Sequence, residues 1–160
     1  MILMMVSVFS FAQWKNVQST SKYNIKLNIG SVHPCMYDPY GNILQVAYTA
    51  VWIYPKGKQT VIDFKYSVND HRILQERTET LRCNSSGQLI ERYGAQYSSN
   101  WVSLNKNSEA FKTVVSALEV LRNDGKKDYL SGDPFFKYSQ KKQQNVLSYL
   151  SIRINSNSNK

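Results

Sequence analysis

Leu44-Gln45-Val46-Ala47-Tyr48-Thr49-Ala50-Val51-Trp52-Ile53-Tyr54, followed by Pro55-Lys56-Gly57-Lys58 and then Gln59-Thr60-Val61-Ile62-Asp63-Phe64-Lys65-Tyr66-Ser67-Val68, decides the fold. In the first segment Leu44, Val46, Tyr48, Ala50, Trp52 and Tyr54 alternate with Gln45, Ala47, Thr49, Val51 and Ile53. Both sets are largely apolar, as expected of a strand covered on two sides. Proline presets φ and glycine takes positive φ, so residues 55–58 read as a tight turn. The second segment alternates more sharply. Ile62, Phe64, Tyr66 and Val68 lie on one side and Val61, Asp63, Lys65 and Ser67 on the other, predicting a strand with one wet face.

The pattern continues in both directions. After Asn69-Asp70 a long polar strand runs from about Arg72 to Cys83, with Ile73 and Leu81 expected on the Cys83 face and Glu76, Thr78 and Thr80 opposite. It turns at Ser85-Ser86-Gly87 into Gln88 to Tyr97, where Leu89, Tyr93, Ala95 and Tyr97 would share a face. Connections this short make antiparallel pairs. Beyond Trp101 the period changes. Phe111, Val114, Val115, Leu118 and Leu121 recur at helical spacing, with Ser108 at the N-cap, Glu109 in the first turn and Asn123-Asp124-Gly125 as the stop. The expected class is α+β: an antiparallel meander with one amphipathic α-helix packed on one face near the C-terminal side. A further apolar patch, Val146 to Ile154, reads as either a short helix or a strand.

Met1 to Ala12 is uncharged and mostly apolar, and ends in Ser10-Phe11-Ala12, a small-x-small pattern. It reads as an export signal that leaves a chain beginning near Gln13, the alternative being a buried N-terminal strand or helix. The run is too short to span a bilayer, which takes about 20 apolar residues. The domains expected are therefore a signal peptide at 1–12, a β-rich domain with its closing helix at 20–125, and a basic extension at 126–160. In that extension Lys137, Lys141, Lys142, Arg153 and Lys160 occur with no Asp or Glu after Pro134, a large part of the chain's net charge of +9.

Cys35 and Cys83 are the only cysteines. Export would place them where disulfides persist, so one long-range disulfide is expected, with two buried thiols as the alternative. His33-Pro34-Cys35 reads as a turn, and neither cysteine is placed like a nucleophile. Asp124, Asp128 and Asp133 lack the alternation of a cation loop. His33 and His71 belong to no metal or catalytic signature. The expectation is a protein that is not an enzyme and holds no cofactor or metal.

The order of a strand meander, Cys83, a further strand, and Trp101-Val102-Ser103-Leu104-Asn105-Lys106-Asn107-Ser108 leading into a helix resembles the surface-adhesin protein E-like family of small exported bacterial proteins, over about residues 43–121. Trp101, Leu104 and Ser108 carry the motif. Lys106 stands where the family has proline. The family's helix cysteine is absent near Ala117 and Leu118, which leaves Cys35 as the one partner for Cys83. The resemblance implies a sheet with a packed helix, in the periplasm or at the cell surface, working through protein contact, with host matrix proteins as the family's partners.

From charge and alternation the expected partner contacts are Lys65, Arg77 and Arg92 on the exposed face, with Lys137, Lys141 and Lys142 in the tail. The partner would be a protein, a host matrix protein or another acidic surface, with anionic envelope as a further candidate. An extracytoplasmic inhibitor or immunity protein, using a loop at Val32 to Tyr40, is the second reading. A basic nucleic-acid-binding domain is the third, favoured by tyrosines among cations and disfavoured by export.

Overall fold

The computed structural model describes residues 13–123. The expected signal segment 1–12, the extension 126–160 with its lysines, the Asp124 to Asp133 group and the Val146 to Ile154 patch lie outside the described residues. Eight strands form one sheet: β1 (Trp14–Ser19), β2 (Asn24–Asn28), β3 (His33–Tyr37), β4 (Ile43–Ile53), β5 (Lys58–Ser67), β6 (Arg72–Cys83), β7 (Leu89–Tyr97) and β8 (Trp101–Ser103). A single helix, α1 (Glu109–Asn123), follows them. Every strand pairing is antiparallel, in the order β1-β2-β4-β5-β6-β7. β1 precedes residue 20, where the sequence pattern starts the domain.

Two lateral positions are each filled by a pair of short strands. β2 pairs with Ala50 to Ile53 of β4 and β3 with its first half, around Ile43 to Ala47. Between them Ile29–Ser31 forms a single 3₁₀ turn, and Ser31 repairs the ladder there. Its hydroxyl donates to the Asn28 carbonyl at 2.7 Å and accepts from the Thr49 amide at 2.8 Å, so the interruption leaves no backbone amide of β4 stranded at that point. On the other side β7 pairs with Arg77 to Cys83 and β8 with Arg72 to Leu74 of β6. His33 to Cys35, read as a turn, is strand, because β4 offers that segment a free ladder edge.

The core lies between one sheet face and α1. Ile25 and Leu27 of β2, Val46, Tyr48, Ala50 and Trp52 of β4, and Ile62, Phe64 and Tyr66 of β5 meet Phe111, Val114, Val115, Leu118 and Leu121, all buried. This is the helix stripe that the sequence spacing predicts. Buried hydroxyls are paired, with Tyr48 Oη and Thr113 Oγ1 2.8 Å apart. The Trp52 indole donates to Glu109 at 2.8 Å, and Lys15 of β1 meets Glu119 at 2.6 Å. Ser108 caps the helix as expected. Its Oγ accepts from the Phe111 amide at 3.1 Å.

A bulge in β6 changes which side chains face the core. Asp63 pairs with Arg77 and the next residue, Phe64, pairs with Gln75, so Glu76 is the extra residue. Ile73 and Gln75 therefore share the Phe64 face with Thr78, Thr80 and Arg82, while Leu81 and Cys83 lie on the reverse face. The expected grouping of Ile73 with Leu81 fails for that reason. Gly94, at φ 87°, sits at a second irregularity, where Thr80 lies between the Glu79↔Ala95 and Leu81↔Arg92 pairs. It separates Tyr93 from Ala95 and Tyr97, which alternation had placed together.

The 55–58 turn is clamped. Lys56 and Gly57 both take positive φ, 63° and 81°. A Cβ on Gly57 would stand 2.0 Å from the Cys83 carbonyl oxygen, so the end of β6 passes directly over the turn. Gly57→Ala is expected to lower stability by about 2 kcal/mol or more, combining left-handed strain with a backbone clash. Ser108→Ala should cost about 1 kcal/mol. Urea unfolding of both variants checks these values.

Candidate functional site

Of the expected contact residues, Lys65, Arg77 and Arg92 lie on the sheet face away from α1, and the structure brings them together with carboxylates; Lys137, Lys141 and Lys142 lie outside the described residues. Asp63 of β5 accepts from Thr49 Oγ1 at 2.7 Å and faces Arg77 at 3.4 Å. Arg77 also pairs with Glu79, and Arg92 of β7 reaches Glu79 at 2.8 Å. Lys65 pairs with Glu76. The result is a ladder of alternating charge across β5, β6 and β7 on cross-strand neighbours. Lys65, Arg77 and Arg92 are thus held by this chain's own acids. Sequence alternation places them on one exposed face but does not reveal their partners, since the bulge at Glu76 sets the register.

Glu79 is the hub of this ladder and its side chain is buried. Burial alone would raise its carboxyl, but the Arg92 and Arg77 guanidiniums more than offset that and hold it below the usual carboxylate range. The Tyr97 hydroxyl, and then Glu79 and Asp63, keep Arg77 firmly charged. Lys65 is raised chiefly by its bond to Glu76.

Cys35 and Cys83 do not pair. Cys35 is exposed in β3 and Cys83 is buried at the end of β6, both as free thiols. Cys35 sits beside Val46 of β4, whereas Cys83 lies beyond the Ile53↔Gln59 level of β4 and β5. Along a strand that is roughly 20 Å, against a limit of about 7 Å between Cα atoms for a disulfide. The expected cystine is therefore corrected to two separate thiols. Although Cys35 is exposed, partial desolvation against the strand pushes its thiol upward.

The motif residues are structural. Trp101 pairs with Leu74, and its carbonyl accepts from the Arg72 guanidinium at 2.7 Å. Leu104 is buried and its amide donates to the carbonyl of His71, a residue at φ 52° whose Nδ1 lies 2.8 Å from the Tyr66 hydroxyl. His33 is exposed in β3, far from His71 in the sheet. Among the described residues no group of His, Cys, Asp or Glu could hold a metal ion, and no helix is long and apolar enough to cross a membrane.

What sequence reasoning passed over is the apolar exposure of the outer strand, of which it singled out Arg92 alone. All nine residues of β7 are exposed, including Leu89, Ile90, Tyr93 and Tyr97, and Val102 of β8 is 55 % exposed. A strand so apolar and so open, at the rim of a sheet, is unusual in a protein that buries its other strands. The signal was present in Leu89-Ile90, two apolar neighbours that cannot both face one core. The segment Val32 to Tyr40 is mostly strand β3; only its end, held by the Asp38 carboxylate accepting from the Tyr40 and Asn42 amides at 2.8 Å each, is a turn. No family model, curated protein or solved structure matches this chain.

Because the Glu79 carboxyl is depressed in the folded state, its stabilisation is complete above the ordinary carboxylate range and disappears as pH falls through the depressed value. Melting measured from about pH 7 to about pH 3 should show Glu79→Gln less stable than wild type near neutrality, with the gap closing in acid.

Proposed function

We propose that this chain is an exported bacterial binding protein, resembling a surface adhesin, that acts extracytoplasmically through protein–protein contacts at its outer strand. The observation that carries the reading is the exposure of every residue of β7, with Leu89 and Ile90 side by side at the open rim. Such an edge offers unpaired backbone donors and acceptors, and apolar side chains for a partner to cover. The uncharged segment Met1 to Ala12 supports export. The ion ladder supports a contact through the apolar side chains of β7 rather than through the charges of Lys65, Arg77 and Arg92, which are already engaged by acids.

Two measurements test the proposal. Intact mass of the protein recovered from periplasm and medium should give a chain starting near Gln13; a full-length cytosolic chain would remove the export part. Purified extracellular-matrix and plasma proteins, immobilised as an array, should retain wild type. The double variant Leu89→Glu/Ile90→Glu should lose about tenfold or more in affinity while its melting temperature is unchanged, because neither side chain is in the core. Equal retention of variant and wild type would defeat the assignment to β7.

A further inference from the structure

The helix-facing side of β6 and β7 forms a shelf that α1 leaves bare. At one end, Lys56, Lys58, Thr80, Arg82 and Tyr93 line a pocket of about 360 Å³. Lys58 and Arg82 are direct cross-strand partners, so two like charges face each other on one side of the sheet, an arrangement that destabilises a bare sheet. Lys56 joins them from the clamped turn, at a left-handed φ of 63° that a lysine adopts only at a cost. Gly57, pressed on Cys83, fixes that turn over the pocket.

Among the described residues none of these three cations forms an ion pair, in contrast to the ladder on the opposite face. Lys58 lies 5.4 Å from the centre of the Tyr54 ring. Arg82 reaches the Tyr93 hydroxyl, and that hydroxyl donates to Glu91, which also stands opposite Arg82 in the ladder. Three cations against one carboxylate leave an excess of positive charge around the Thr80 hydroxyl. Next along the same face is a second hollow of about 390 Å³, uncharged, where Gln75, Thr78, Gln96 and Asn100 present amides and hydroxyls.

From this sequence of surfaces we propose that the shelf binds an acidic saccharide. A sulfate or phosphate ester sits among Lys56, Lys58 and Arg82, and the ring hydroxyls are read by Thr78, Gln75 and Gln96. The half-exposed Tyr93 ring packs against the sugar body. A tetrahedral oxyanion relieves the Lys58–Arg82 repulsion, and side-chain amides donate to and accept from sugar hydroxyls in the way a neutral hollow allows. This inference goes beyond the protein-contact reading and uses other side chains.

The test is amide NMR of the ¹⁵N-labelled full chain titrated with four probes: a sulfated glycosaminoglycan tetrasaccharide, its unsulfated counterpart, glucose 6-phosphate and inorganic phosphate. The sulfated or the phosphorylated sugar, whichever binds more tightly and so names the source of the ester, should give saturable shifts at Gly57, Lys58, Thr80, Thr78 and Gln96. Arg82→Ala and Lys58→Gln should each weaken that binding at least about fivefold, with the rest of the spectrum unchanged as evidence of folding. Leu89→Ser/Ile90→Ser, which adds no charge beside Arg82, should bind the sugar as wild type does while losing the protein contact, so the two proposals fail separately. Absence of saturable shifts at the shelf, equal binding of the unsulfated sugar and the sulfated one, inorganic phosphate binding as tightly as either ester, or unchanged affinity in both cation variants would each overturn the inference.

Discussion

Among the described residues one helix shields a sheet that is six strands wide. A helix is about 10–12 Å across and strands lie about 4.8 Å apart, so a single α1 covers two or three of them. It sits on the Ile25, Tyr48, Trp52 and Phe64 rows of β2, β4 and β5, where the buried core is found. The composition follows the shadow of the helix. On the same face, β6 supplies Ile73 near the core and then Gln75, Thr78, Thr80 and Arg82, while β7 has no buried residue at all. Where the second layer ends, the sheet becomes a two-sided surface, and both proposed binding regions lie on that uncovered part.

Charge is distributed on the sheet with the same economy. On the face away from α1 Lys65, Arg77 and Arg92 each have an acid within reach, so the β5–β7 ladder is balanced in charge. On the helix side, at the end of β5 and β6, Lys58 faces Arg82 and Lys56 adds a third charge. Lys58 and Arg82 face each other across the ladder where Lys65, Arg77 and Arg92 on the opposite face meet acids, and that contrast marks where an anion would be welcome. The Gly57 turn packs directly against the Cys83 backbone, with no room there for a side chain.

Much of the fold was legible because its signals are local. The alternation in β4 and β5, the turn at 55–58, the Ser108 cap and the Phe111 to Leu121 stripe each depend on residues within a few positions of one another. β1, β2 and β3 were harder to read. They are short, and β3 contains Pro34 and carries mostly exposed side chains, so they acquire strand character only by pairing with a neighbour. The face assignments in β6 and β7 failed at Glu76 and near Gly94, because a bulge adds one residue without any mark in the alternation. The candidate site suffered most. Lys65, Arg77 and Arg92 lie on the sheet face away from α1, but their engagement with Glu76, Asp63 and Glu79 depends on register.

By itself the sequence determined the alternating strands, the helix, its cap and the tight turns, since backbone preference and apolar periodicity act over a few residues. Tertiary structure alone decided that Cys35 and Cys83 lie at distant levels of the sheet, that the ladder cations are paired, and that Lys56, Lys58 and Arg82 converge without an ion pair among the described residues. Those outcomes depend on cross-strand register, and a single extra residue in a strand is enough to turn a side chain from one face of the sheet to the other.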